Sequence, residues 1–428
     1  MNDKRNVTRA AATANRIKQS PMTRAVRSVL AASALTLALG ATSGTAAAAS
    51  HKVPVAHVLQ LQRAAIDFAQ VHDLSLVPGG LGDLEGLEGL MPPGAPVMSL
   101  VSGGGVGSVV GNVTGTVGTM VHIYSNVDDA TAYYVSATGN VDITNTGHQH
   151  ADTNGTYNAT GILVYAGGTA TVNSYEARAY TYGDGNAIGI YVYGYDGASV
   201  TVNGGGYADG HAFGDGNAVG VYAVSYNGGT SVTVNGNAYS TGQAQDDGNA
   251  IGVYAYSYNG DTSVTIDGSA GAYAFDGIAA GVVALSYNGA ADVVINERVF
   301  SESYNGNAYG VYVESAYADA SLDNSGVIFA HSYNGGAVGV QATAAGTVTV
   351  TNSGALGIYA HGYDGAIGVL AAGQAGATVD NSANIFATNN GLTGSVAVGV
   401  AAMSLADVNI NNSGYIYANS ISGNAFGI

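Results

Sequence analysis

The runs Ile188-Gly189-Ile190-Tyr191-Val192, Ile251-Gly252-Val253-Tyr254-Ala255 and Val338-Gly339-Val340-Gln341-Ala342 carry one pattern, a glycine set between aliphatic residues in an alternating stretch. The same glycine recurs at Gly161, Gly189, Gly220, Gly252, Gly281, Gly310, Gly339, Gly368, Gly399 and Gly427, with spacings of 28, 31, 32, 29, 29, 29, 29, 31 and 28 residues. A steady period of this length marks a solenoid, in which each unit buries its apolar side only by stacking on its neighbours. Alternation with period two belongs to a strand with one buried face. Down the repeats it predicts an inward column of Ile188, Val219, Ile251, Ala280, Tyr309, Val338, Ile367, Val398 and Phe426. A second inward column is Ile190, Val221, Val253, Val282, Val311, Val340, Val369, Val400 and Ile428.

A second strand follows each marker strand, as in Thr230–Asn235, and a third reads Gly326-Val327-Ile328-Phe329-Ala330 or Gly414-Tyr415-Ile416-Tyr417-Ala418. No helical pattern lies between them. The prediction is an all-β chain, a parallel β-helix of about 10 to 11 coils, each of roughly 29 residues and three short strands. With coils roughly 4.8 Å apart, the rod would be on the order of 50 Å long. Asn-Gly and Asp-Gly pairs such as Asn227-Gly228, Asn259-Gly260, Asn288-Gly289 and Asp364-Gly365 supply the positive-φ residues of tight corners.

Where strand two ends, a polar column runs Asn173, Asn203, Asn235, Asp267, Asn296, then shifts by one position to Asn324, Asn352, Asn381 and Asn412. Stacked amides can bond from coil to coil, and a shift of one residue exchanges the two faces. Which set points inward is left open by the pattern.

Ahead of the repeats, seven basic residues (Lys4, Arg5, Arg9, Arg16, Lys18, Arg24, Arg27) precede the apolar run Val29 to Leu39 and the sequence Ala47-Ala48-Ala49. This reads as an export signal, residues 1–49, cleaved after Ala49, with Met22 as an alternative start. A short amphipathic helix is expected within 50–77, beginning near Pro54, then a Gly/Pro-rich linker or entry over 78–120, and the solenoid over 121–428. No other stretch reaches the 18 apolar residues of a transmembrane helix.

Removing residues 1–49 leaves four bases against 28 acids, a net charge of −24. Nucleic-acid binding needs Lys and Arg against phosphate and is excluded on that ground. The chain has no Cys, so neither disulfides nor thiolate metal sites are available.

The units Val379-Asp-Asn-Ser-Ala-Asn-Ile-Phe-Ala387, Ile410-Asn-Asn-Ser-Gly-Tyr-Ile-Tyr-Ala418 and Gly365-Ala-Ile-Gly-Val369, behind a long signal, resemble the passenger region of Gram-negative autotransporters. The resemblance covers roughly residues 130 to 428. It implies a right-handed β-helix carried through the outer membrane by a C-terminal β-barrel, serving as an adhesin or display stalk at the cell surface. The chain contains no barrel and stops inside a coil at Ile428, so the expectation is a passenger truncated at its C-terminus, its barrel lying in a missing part.

Catalytic patterns are sparse. After Arg63 only Arg178 and Arg298 remain, 120 residues or about four coils apart, which is roughly 19 Å and too far for one basic subsite. No G-x-S-x-G elbow occurs, and His211, His331 and His361 have no adjacent carboxylate in sequence. His148-Gln149-His150 sets two imidazoles on one side of a strand without a third ligand in view, so no metal site or cofactor is assigned. The Gly-Asp-Gly-Asn runs at 183–186 and 214–217 read as tight turns.

The favoured binding face is aromatic. Tyr191, Tyr222, Tyr254 and Tyr312 take the outward position beside the marker glycine, and Tyr195, Tyr226, Tyr258 and Tyr287 sit in the following turns. Stacked tyrosines could form a platform for a glycan or a cell-surface protein, or could simply be strand formers stacking on themselves. The expected function is a non-enzymatic adhesin or stalk. The alternatives are a polysaccharide-acting β-helix enzyme fragment or a purely structural display rod. An ice-binding face built on Thr201, Thr233 and Thr265 fails at Val294.

Overall fold

A computed structural model describes residues 101–109, 111–391 and 395–428, of which 101–109 are described for the backbone alone. The expected signal, its cleavage after Ala49 and the amphipathic helix lie outside the described residues. Every described element is a strand, and every strand pairing is parallel. The marker strands, for example Ala187–Gly194, Ala218–Ser225, Ala250–Ser257 and Ala279–Ser286, stack into one 12-stranded sheet. The second and third strands of each coil stack alongside, making a β-solenoid of about eleven turns.

Stacking is in register by residue type. Val219 lies beside Ile188 and Ile251, Tyr222 beside Tyr191 and Tyr254, and Val232 beside Val200 and Val264. In the coils spanning Val141–Thr153, Thr169–Thr181 and Gly197–Ala212, strands two and three run on as one long strand. Later coils break it at a turn, as between Thr230–Val234 and Tyr239–Ala244. The first described strand, Val101–Val109, pairs with Ala130–Ala137, so coils begin inside the Gly-rich stretch that sequence alone reads as linker or entry.

The core corrects one of the two predicted inward columns. Ile190, Val221, Val253, Val282, Val311, Val340 and Val369 do belong to the central apolar cluster, with Val200, Val232 and Ile266 from strand two. Ile188, Val219, Ile251, Ala280, Tyr309, Val338 and Ile367 are buried but are not part of that central cluster. Their predecessors point in instead: Ala187, Ala218, Ala250 and Ala279 cluster with Ala212 and Ala244 of the third strand. The coil is therefore broad where Val and Ile meet, and thin where Ala faces Ala.

The marker glycine explains the change of face. A Cβ built on Gly252 would lie 2.5–2.8 Å from backbone atoms of Gly281 and Gly271, and one on Gly189 would lie 2.6–2.9 Å from Asp209, Gly220 and Ala208. The glycine points inward, against the facing third strand, and the next residue, Ile190 or Val253, also points inward. Two successive inward residues bend the strand with its apex toward the core. In later coils an isoleucine fills the vacant space: a methyl of Ile328, Ile358 or Ile385 lies 2.3–2.4 Å from where a Cβ of Gly310, Gly339 or Gly368 would be. On the outer side of the bend the Ile188 and Tyr191 columns are also buried.

The open question of the asparagines resolves by position. Asn324, Asn352 and Asn381 are buried and donate in series, Asn324 Nδ2 to Asn352 Oδ1 at 2.8 Å, Asn352 to Asn381 at 2.7 Å and Asn381 to Asn412 at 2.7 Å. They continue the column of Ile266 and Ile295, replacing apolar contact with a chain of amide hydrogen bonds in which Asn324 Oδ1, at the start, accepts none. Asn296 lies outside, donating to Asp267 at 2.6 Å.

A methyl group at the bend has no room. Gly252→Ala is expected to cost about 1–3 kcal/mol through overpacking, whereas Gly236→Ala, whose nearest atom is 3.6 Å from the built Cβ, should change stability by less than about 0.5 kcal/mol. Denaturant unfolding of the two variants checks this; equal midpoints would remove the close approach from the account.

Candidate functional site

The aromatic residues divide into two sets with opposite exposure. Tyr191, Tyr222, Tyr254 and Tyr312 are only 9, 1, 7 and 2% exposed. The first three stack at centroid distances of 5.0 and 4.7 Å with rings within 12° of parallel. Tyr312 donates its hydroxyl to Glu314. These four are buried in this structure, and the glycine track beside them faces the core.

The corner tyrosines are accessible. Tyr195 and Tyr226 are 41 and 42% exposed, and Tyr195, Tyr226, Tyr258 and Tyr287 stack at 5.4, 5.0 and 4.8 Å with interplanar angles of 20°, 1° and 7°. Tyr317 closes the row edge-on at 5.0 Å. Beside the rings runs an amide row, Asn259 Nδ2 donating to Asn227 Oδ1 at 3.1 Å and Asn288 to Asn259 at 2.8 Å. The strip thus presents aromatic faces and edges flanked by hydrogen-bonding amides.

Corners of this row after that of Tyr195, which reads Gly194-Tyr195-Asp196-Gly197, carry a serine that the sequence reading passed over. In Ser257-Tyr-Asn-Gly260 and Ser286-Tyr-Asn-Gly289 the buried hydroxyl accepts from the glycine N–H of its own turn, at 2.9 and 3.0 Å. Ser286 also donates to the Gly260 carbonyl of the coil before, at 2.9 Å. The serine satisfies the turn from within, leaving Tyr and Asn outside. The same four residues recur at the end of the third strand, at Ser303–Gly306 and Ser332–Gly335, where Ser332 makes both bonds. There a second exposed aromatic row forms, Phe275 on Tyr304 at 5.0 Å and Tyr304 on Tyr333 at 5.6 Å, beside Asn334 donating to Asn305. The recurring Ser-Tyr-Asn-Gly tetrad is the signal that finds both rows.

A third amide row, Asp129, Asn158, Asn186, Asn217 and Asn249, links the turns that enter the marker strands. Each Asn side chain donates to the residue before it at 3.1–3.2 Å, and Asn217 and Asn249 backbone N–H groups donate to it as well. The Gly-Asp-Gly-Asn runs are thus turns closed by this row.

The titratable residues gather on the outer face of the third strand at the N-terminal coils. His148 and His150 both face outward there and stack in register on Glu176 and Arg178 of the next coil. His148 Nδ1 lies 2.6 Å from Glu176 Oε2, Arg178 Nε lies 3.0 Å from Glu176 Oε1 and 3.8 Å from Asp209 Oδ2, and the guanidinium caps the Tyr207 ring at 4.8 Å. Burial works against the charge of Arg178, and the carboxylates of Glu176 and Asp209 outweigh it, raising its pKa. Asp209 is pushed up by burial, against the Thr241 hydroxyl it accepts from and the Arg178 charge.

One strand earlier, His122 stacks on His150 with ring centroids 4.4 Å apart and planes 9° from parallel. Asp152 receives both: Oδ2 lies 2.7 Å from His122 Nε2, and Oδ1 lies 2.9 Å from His150 Nε2. Burial pushes the Asp152 carboxyl up, but the hydrogen bonds and charges of His150 and His122 outweigh it and hold the group below the usual range. His331 and His361 also stack, at 4.8 Å, and burial lowers both pKa values, with the neighbouring imidazole adding to the effect on His331.

No protein-family model matches the chain, nor does any curated protein or any solved structure. What the molecule does must be argued from its own surface.

The two tyrosine sets should respond differently to truncation. Tyr222→Ala removes a ring that is only 1% exposed and is expected to cost about 3–5 kcal/mol, whereas Tyr226→Ala loses only partial stacking on its neighbours, about 1 kcal/mol or less. Thermal or denaturant unfolding of the pair decides it, and an equal loss for both would mean that the corner row is as structural as the buried one.

Proposed function

We propose that this chain is the passenger part of an exported, surface-displayed rod of the autotransporter kind, acting without catalysis as an adhesin. Ligand contact is made along the Tyr-Asn corners, by Tyr195, Tyr226, Tyr258 and Tyr287. The observation that carries this reading is the exposed row of parallel tyrosine rings beside a row of amides. Rings spaced about one coil apart offer flat apolar faces to sugar rings, while the amides pair with hydroxyls, a combination suited to glycan chains or to a glycosylated surface protein. An acidic chain with few cations suits neutral ligands better than anionic ones. The basic N-terminal stretch and the Ala-x-Ala site support export, and the resemblance in the 379–387 and 410–418 units supports the passenger assignment.

A second reading, turnover of an acidic polysaccharide, draws on the Glu176, Arg178 and Asp209 cluster. It is the weaker of the two, because both carboxylates and the Tyr207 ring already engage the Arg178 guanidinium, which would have to hold a substrate anion.

Replacing Tyr195, Tyr226, Tyr258 and Tyr287 together by Ser tests the adhesive reading. The full chain should keep its β-sheet circular dichroism and lose at least about tenfold in binding to cells or to a neutral glycan surface. Unchanged attachment would take the corner row out of the account, and glycan depolymerisation by the wild type, lost in Glu176→Gln, would favour the enzyme.

A further inference from the structure

The N-terminal coils carry a group of side chains that neither folding nor adhesion uses. Among the described residues, His122, His150 and Asp152 offer ligand atoms that all lie within 4.8 Å of one another. Each arrives by a different route. His150 and Asp152 are alternate residues on the outer face of Val141–Thr153, and His122 stands beside His150 from the parallel strand Val121–Ser125. The third ligand that the His148-Gln149-His150 sequence lacks is thus supplied across the coil boundary, from 28 residues upstream.

Two features separate this group from a surface ion pair. Asp152 is more than nine-tenths buried although its carboxylate serves no core contact. The facing atoms His150 Nε2 and Asp152 Oδ1 are both inaccessible and stand 2.9 Å apart, an ion pair with no further partner on either atom. Buried polar atoms are nearly always satisfied, and a cation seated beside this pair would engage both.

The donor set defines what fits that point. Two imidazoles and one carboxylate suit a borderline divalent cation, whereas Ca2+ and Mg2+ require mainly oxygen ligands. A tetrahedral ion about 2.0–2.2 Å from each donor holds the donors roughly 3.4 Å apart. The pairs now at 2.7 and 2.9 Å would open slightly, and the two imidazoles would close onto the ion. Three protein ligands leave one position for water or for a group on a partner.

We propose that His122, His150 and Asp152 bind a divalent cation of the Zn2+ class, stapling the first described coil to the second. The chain has no cysteine, and so no disulfide with which to tie one coil to the next. A metal shared between Val121–Ser125 and Val141–Thr153 ties the two at a point where their strands already run parallel.

The test is titration of the chelator-stripped full chain with Zn2+ by calorimetry, beside the variants His122→Ala, Asp152→Asn and His148→Ala, with Mg2+ as the control cation. The wild type should bind one equivalent of Zn2+ that His122→Ala and Asp152→Asn each weaken by roughly tenfold or more, and that His148→Ala leaves intact. His122 is exposed, so its loss should not disturb folding, which circular dichroism checks. Hydrogen exchange gives a second readout: Zn2+ should slow exchange of the amides of residues 121–125 and 149–153 in the wild type and not in Asp152→Asn. Binding of equal strength and stoichiometry in the wild type and both ligand variants would assign the ion to other groups, such as His51, His57 or His72, and overturn the proposal. Absence of Zn2+ binding by the wild type would overturn it equally, leaving a carboxylate held between two imidazoles.

Discussion

Every property of this molecule depends on one constraint: each coil hydrogen-bonds to the next in parallel register, so that residues one period apart lie on top of one another. A parallel ladder satisfies the backbone but brings identical side chains into contact at about the interstrand distance. Side chains that gain from self-contact are therefore selected column by column. Aliphatic residues fill the core, asparagines pass hydrogen bonds along the rod, and aromatic rings stack face to face. Charges do the reverse, which accounts for the sparse cations and for the way Arg178 is wedged between Glu176 and Asp209 rather than stacked on another arginine.

The period, the strand character and half of the core were legible in the sequence because they follow directly from this repetition. The facing of the marker strand was not. Alternation assumes a flat strand, and the inward bend at Gly189, Gly220 or Gly252 interrupts it, placing two neighbours on the same side. That single bend turned the glycine track inward and set Ile188 and Tyr191 on the outer side of the strand, where both are buried. The corners behaved differently. The Asn-Gly and Asp-Gly corners are turns as read, but Gly228, Gly260, Gly289 and Gly365 do not take the positive φ expected of them, and the serine that satisfies the turn from inside shows only in the recurring Ser-Tyr-Asn-Gly tetrad. The metal-capable group was half visible, as His148-Gln149-His150, because the remaining imidazole comes from another coil and only the register of Val121–Ser125 against Val141–Thr153 brings it near.

The architecture also divides the labour of the aromatic residues. Rings on the marker strands are buried and stack on one another along the sheet. Rings at the corners lie beyond the sheet edges, where stacking holds them at fixed spacing while their outer surfaces stay in water. Order without burial suits recognition, because a partner then has little side-chain entropy left to freeze. The adhesive reading rests on this combination, and the Zn2+ site would add rigidity at the end of the described rod without drawing on the same residues.

If register is the controlling constraint, whole coils should be dispensable and fractions of a coil should not. Ala250 stacks on Ala279, so excising residues 250–278 joins Asn249 to Ala279 with every column preserved. Small-angle scattering and circular dichroism of that variant should show a folded rod shorter by roughly 4.8 Å, with the β-sheet signal per residue unchanged. Excising only residues 250–264 would set each following strand against the wrong partner and should abolish the cooperative fold. If the half-coil deletion folds as well as the whole-coil one, in-register stacking is not what holds this protein together.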